Sequence, residues 1–304
     1  ALPILEYLEG DITSEKESYI AEQQEYFAGL RQRLDEIAVN SELSESTKQA
    51  MSKSIENILN SKGVAFDRVT EQYNRLLGLK SDGVKARFID ENIYSTFVSS
   101  KTREWNDFAL LCFVLLIAVP CVFSVEYKNG MINLIRPTKN GKTKLFVRKI
   151  AVLLMFTLLS FISVYLPYFI RFINTYGTKS FATPIVCIFD KLQASCFSVM
   201  GAMLVNLLCS LLLALAVVSI ITALSIITES NMFTMVLSTV LIIIPCLAVY
   251  STESVRIGYC IANNCVAVLI IVCVISISIS IVMTIISQLK FTKSRIRRKK
   301  NADS

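Results

Sequence analysis

Five apolar runs without a single ionisable side chain constrain this chain more than any other feature. They are residues 108–125, 150–170, 195–228, 231–250 and 257–287, all free of Asp, Glu, Lys and Arg in a chain that has no His. A helix needs about 20 apolar residues to cross the hydrocarbon core of a bilayer. Only helices and closed barrels satisfy their backbone groups there, and runs this long and continuous are helical. The fold class expected is therefore all-α: a polytopic helical membrane protein with five spans. The run 195–228 exceeds one upright helix. It reads either as one long tilted helix or as a span preceded by a short re-entrant piece starting near Pro184. Pro120, Pro167 and Pro245 sit in or near span ends, where a missing N–H favours a kink.

Charge divides the chain. Residues 1–107 carry 13 Lys/Arg against 19 Asp/Glu, whereas 14 of the 18 later basic residues fall in two places, the 126–149 loop and the tail from Lys290 to Lys300. Basic residues in short loops mark the cytoplasmic side. With 126–149 inside, five spans place residues 1–105 outside and the tail inside, so both clusters face the cytoplasm without adjustment. The expected domains are an extracellular helical bundle or hairpin (1–105), a transmembrane domain (106–290) holding the cytoplasmic loop 126–149, and a basic cytoplasmic tail (291–304). A nucleic-acid partner is not expected, because the soluble part is acidic and basic residues flank spans. Attraction to lipid headgroups suits the tail better.

In the polar domain, Ser14 followed by Glu17 reads as a capping box. Ile20, Phe27, Leu30, Leu34 and Ile37 then form one apolar stripe. A second helix starts near Ser44, Gly63 separates it from a third, and Ser81-Asp82-Gly83 is a turn. From about Glu91 one helix runs straight into the membrane, with Trp105 at the interface.

Several chemistries lack their residues. The absence of His removes the commonest general base and metal ligand. The nine cysteines all lie at or after Cys112 with neither zinc nor disulfide spacing. They read as small buried apolar groups, with Cys260 and Cys265 the one pair to watch. Gly141-Lys142-Thr143 ends like a phosphate-binding loop, but Arg136 occupies the position of its first glycine and no strand precedes it. No catalytic residue, metal site or cofactor is expected in this chain. Without ionisable groups in the apolar runs, ion coupling lacks its usual carrier. Asn206, Asn263 and Asn264 are the main polar intrusions, either interhelical hydrogen-bonding groups or polar points on a pathway.

The 126–149 loop suggests where energy would enter. Residues 127–136 can form a short helix with Met131, Ile132, Leu134 and Ile135 exposed, ended by Pro137. Such a helix is unstable alone. It would dock in a partner's groove or lie on the membrane surface, and physics alone does not choose.

The order of an apolar span ending in Glu126, then Asn129-Gly130, an apolar short segment, Pro137, a basic turn and a new span entered at Arg148-Lys149 resembles the permeases of bacterial type-2 ABC exporters. Glu126 and Gly130 match that family's E-x-x-x-G pattern. The resemblance implies that Glu126, Asn129, Gly130, Met131, Ile132, Leu134 and Ile135 couple to a separate ABC ATPase. Two ATPase copies, carrying ATP and Mg, would serve two permease subunits, identical or homologous, in a bacterial plasma membrane. It implies six spans, so a first span is expected before residue 1. An amphipathic cargo, such as an antimicrobial or bacteriocin-like peptide or a lipid, suits this frame. The alternative is a receptor or mechanotransmission subunit whose external helices sense a ligand; a structural assembly protein is a third reading.

Overall fold

In the computed structural model, the described residues are 7–39, 44–98, 100–128, 143–178, 180–189, 197–244, 257–262 and 266–293. They divide into two compact units, Ala1–Ser95 with Lys179–Met200 and Thr96–Thr178 with Gly201–Ser304.

The first unit is built on a helical hairpin. Helix α1 (Ser14–Val39) runs antiparallel to a helix made of α2 (Glu45–Ile58), one π-helical turn at Leu59–Gly63, and α3 (Val64–Ser81). Lys80 reaches Glu17 at 3.6 Å and Arg31 binds Asp67 at 2.7 Å, which fixes the antiparallel register. The stripe read from the sequence is largely the core face: Ile20, Phe27, Leu30 and Ile37 are buried and Leu34 is half-buried, with Phe66, Val69 and Leu76 of α3 buried as well. Gly63 does not separate two helices. It sits buried in the π turn, where a Cβ would lie 3.7 Å from the Phe27 ring and 3.4 Å from Leu59. Glycine costs a helix about 1 kcal/mol, and here that is offset by Phe27 packing 5.3 Å from Phe66. The cap also moves by one residue. Glu17 N–H donates to the Thr13 carbonyl at 3.0 Å, giving Thr13 the position expected of Ser14.

A two-stranded ribbon, β1 (Gly10–Asp11) and β2 (Arg87–Phe88), ties the N-terminal segment to the chain after α3, with Gly10 opposite Phe88. The Arg87 guanidinium binds both Asp11 carboxylate oxygens, at 2.6 and 3.1 Å, and holds that carboxyl below the usual aspartate range. The clamp's contribution is therefore present above the unfolded aspartate pKa and fades as pH falls through the lower folded value.

Residues 180–188, which the sequence leaves in an external loop or a re-entrant piece, pack into this first unit. Arg75 donates to the Cys187 carbonyl at 2.6 Å and pairs with Glu91. Ser180 Oγ donates to Glu9 at 2.6 Å. Pro184 opens a single 3-10 turn at Ile185–Cys187, and Ile185 and Cys187 are fully buried.

Among the described residues, four helices are long and apolar enough to cross a membrane, and they make up most of the second unit: α5 (Lys101–Lys128), α6 (Thr143–Tyr176), α7 (Val199–Thr228) and α10 (Val266–Lys293). The chain does not enter α5 as one helix from Glu91. Helix α4 (Glu91–Val98) ends, and Ser100 starts the next helix by accepting the Arg103 N–H on its side chain and the Glu104 N–H on its carbonyl. Of the long run 195–228, the single helix α7 takes all but the first four residues.

Contacts fix the helix directions. Arg103 of α5 meets Tyr168 of α6 while Phe123 meets Phe146, so these two are antiparallel. Ser225 of α7 donates to the Pro120 carbonyl of α5, and Asn206 lies beside Arg103, so α7 is parallel to α5. Cys209 meets Cys273 and Lys290 reaches the Ile227 carbonyl, so α10 is parallel to α7. After α7, Glu229 takes a left-handed φ of 55° in a two-residue turn to α8 (Asn231–Ser238), which continues through a π turn at Thr239–Ile243. Residues 245–250 of the expected fourth span lie outside the described residues, as does Pro245. Before α10 comes the short α9 (Ile257–Ala262). Met155, Leu159 and Val152 of α6 and Ile270, Ile271 and Val274 of α10 are more than half exposed. Apolar surface on this scale requires a bilayer or a partner to cover it.

Arg75→Ala should loosen 180–188 selectively. Leaving the Cys187 carbonyl and Glu91 without their donor costs about 1–3 kcal/mol, so amide exchange at Ile185–Ile188 should rise roughly five- to 150-fold. Burial pushes the Cys187 thiol up and its side chain is enclosed, so it should resist alkylation at neutral pH in the parent protein and react in the variant.

Candidate functional site

Two sites stand at opposite ends of α5, both within the second unit. At the first, the opening turns of α5 place Arg103, Glu104 and Asp107 against Tyr165 and Tyr168 of α6 and Asn206 and Ser210 of α7, around a small cavity of about 40 Å³. Arg103 approaches Asp107 at 3.9 Å, one helical turn on, and its guanidinium lies 4.4 Å from the Tyr168 ring centroid. Glu104 is only 3% exposed. A buried carboxyl is retained where something compensates its desolvation. Among the described residues, the cluster brings one guanidinium and two carboxyl groups beside two phenol rings. The volume holds a group of about the size of one water.

Asn206 is thus a member of a polar cluster rather than an isolated polar point. Its ionisable neighbours were missed because they precede Phe108, where the charge-free run begins, although the helix itself starts at Lys101. The i, i+4 spacing of Arg103 and Asp107 was the available signal.

At the other end, the base of the 126–149 loop is tightly built. Lys149 of α6 donates to the Val122 carbonyl of α5 at 2.6 Å, with its ammonium 4.8 Å from the Phe123 ring. Phe123, Phe146 and Phe291 form an aromatic triad with centroids 5.8–6.1 Å apart, joining α5, α6 and α10. All three rings are buried. Ser124 and Ser225 both donate to the Pro120 carbonyl, at 2.7 and 3.1 Å, which adds α7 to the junction. Glu126 falls in the last turn of α5. Asn129, Gly130, Met131, Ile132, Leu134 and Ile135 lie outside the described residues, as do Asn263 and Asn264.

The cysteines also pair unexpectedly. Cys265 lies outside the described residues, but Cys209 of α7 and Cys273 of α10 bring their sulfurs to 3.4 Å. Nothing in a 64-residue separation announces this. It follows from two parallel helices meeting at one depth.

Comparison with family models, with curated proteins and with solved structures finds no match to this chain.

The thiol pair gives a direct check on this packing. Copper-phenanthroline applied to the membrane-embedded protein should join Cys209 to Cys273, two thiols losing two protons and two electrons to the oxidant. The chain mass should fall by two hydrogens, and Cys209→Ser should abolish the change. A thiol pair that resists oxidation in the parent protein while accepting a small mercurial at both sites would contradict the α7–α10 register.

Proposed function

We propose that this chain is the membrane-spanning permease subunit of an ATP-driven exporter of the type-2 ABC class, moving an amphipathic cargo out of the cell. The observation that carries this reading is the junction at the base of the basic loop. A helix pulled by a partner must pass its motion to the spans, and Lys149, Phe123, Phe146 and Phe291 tie that base to α5, α6 and α10. Packed interfaces pass on small shifts because they are not continuously deformable. Residues 127–136, with Ile132 and Leu134 as apolar anchors, would seat in a separate ATPase that supplies ATP binding and hydrolysis. Glu126 and Gly130 would shape the entry to that segment.

The helix directions support the expected topology. Because α7 and α10 run parallel, the chain returns between Thr228 and Val266, and α8 begins that return. This favours a fifth crossing through residues 231–250. With the loop and tail on the cytoplasmic face, the first unit lies outside, and the Arg103–Asn206 cluster falls at the outer end of the spans. The amphipathic cargo of this reading is an antimicrobial or bacteriocin-like peptide, or a lipid. The complex would contain two ATPases and a second permease subunit in the bacterial plasma membrane.

A receptor or mechanotransmission reading draws on a different observation. The first residues of α7, Val199 and Met200, donate their N–H groups to the Thr183 and Phe181 carbonyls at 3.0 and 3.1 Å, in a segment held by Arg75 and Glu9. A ligand on the hairpin would thereby act on a membrane helix. The two readings differ in the partner bound by the loop, an ATPase or a signalling enzyme.

Replacing both Ile132 and Leu134 with Asp should remove ATPase from the purified complex while membrane insertion stays intact; an unchanged pull-down would end the coupling assignment. Lys149→Met should instead keep the ATPase and lower transport by about tenfold or more, the scale of a charge-assisted bond of about 1.5–3 kcal/mol. Transport assays on reconstituted vesicles measure it.

A further inference from the structure

A second cavity lies between α6, α7 and α10, on a different face of α7 from the Asn206 cluster. Its volume is about 260 Å³. Leu153, Val218 and Thr222, each at most 5% exposed, form its floor, while Leu154, Ile277 and Ile281, each 44–55% exposed, stand at its mouth. All these residues belong to three of the four helices that are long and apolar enough to span a membrane. The mouth therefore opens sideways into hydrocarbon.

The four hydroxyl groups in the wall do not make the cavity polar. Ser219 donates to the Ala216 carbonyl, Thr222 to Val218, Ser280 to Ser276 and Thr284 to Ser280, at 2.7–2.8 Å. Each proton is committed to its own helix, so the wall offers no free hydroxyl donor, and the remaining surface is Leu, Ile and Val. Apolar cavities of about 150 Å³ stay dry and take up benzene. This larger one has room for roughly eight or nine groups of water size, the scale of a stretch of alkyl chain. A peptide backbone or a charged head would leave its polar atoms unpaired here.

We infer that this cavity is a lateral binding site for one acyl chain of a bilayer phospholipid, entered between Leu154 of α6 and Ile277 and Ile281 of α10. The chain fills a gap that side chains leave between three helices, and its headgroup remains at the membrane surface on the side of the 126–149 loop, since Ile150 of α6 lies at that end. The site does not depend on the exporter reading, because any protein with this packing would hold the chain.

The full-length protein in nanodiscs of phosphatidylethanolamine and phosphatidylglycerol, with a trace of phospholipid bearing a diazirine in one acyl chain, tests this. After irradiation, mass spectrometry should place label on Leu215, Val218 or Ile281 at several times the level on Phe113, an exposed apolar residue of α5 outside the cavity. Val218→Trp, which fills the space, should remove the cavity label and leave the Phe113 label unchanged. Ser219→Phe is a second filling variant, and Cys209–Cys273 cross-linking reports whether α7 and α10 remain packed in each. Equal labelling of cavity and Phe113, or cavity label that survives both fillings in a packed protein, would overturn the site. Cross-linking between two copies of a Leu154→Cys, Ile281→Cys variant would overturn it in favour of a second copy covering the mouth.

Discussion

Hydrocarbon offers no hydrogen-bonding partner, and the second unit is organised around that absence. Every backbone donor and acceptor in a span must be met within the protein, which is why the apolar runs become helices. The same rule reaches the side chains. Thr157, Ser163, Thr222, Ser276, Ser280, Thr284 and Ser287 each donate to the carbonyl four residues earlier. A hydroxyl that turns back on its own helix can face lipid or an apolar cavity at little cost. Where a side chain donates between helices instead, as from Ser225 to Pro120, two spans are joined.

This division sorts the second unit into two kinds of contact. Polar bonds and ring contacts gather at the ends of the spans, with Arg103, Asp107 and Tyr168 at one end and Lys149, Phe123, Phe146 and Phe291 at the other. The middle is held by packing of apolar side chains and the Cys209–Cys273 approach. The cavity between α6, α7 and α10 lies beside helices whose outer faces are exposed apolar surface.

The first unit obeys the opposite solvent. Its charges lie on the outside, where pairs such as Arg31–Asp67, both more than half exposed, contribute little. Its core was legible because water makes the buried stripe differ from the exposed face: Ile20, Phe27, Leu30 and Ile37 could be read directly. Gly63 misled because its packing against Phe27 depends on a residue 36 positions away. The docking of residues 180–188 by Arg75 was equally invisible, its partners being 112 residues apart.

Sequence alone determined that the chain is helical, which stretches are apolar enough to span a membrane, and where its basic residues concentrate. Those properties follow from side-chain polarity along one strand of chain and need no knowledge of neighbours. Tertiary structure decided which faces of the spans meet, and so created the Arg103–Asn206 cluster, the Cys209–Cys273 pair and the apolar cavity. In a membrane the protein-facing and lipid-facing sides of a helix are both apolar, so the stripe that orients a helix in water is absent. The rotation of α7 about its own axis is therefore set by packing, and only the packed structure reveals it.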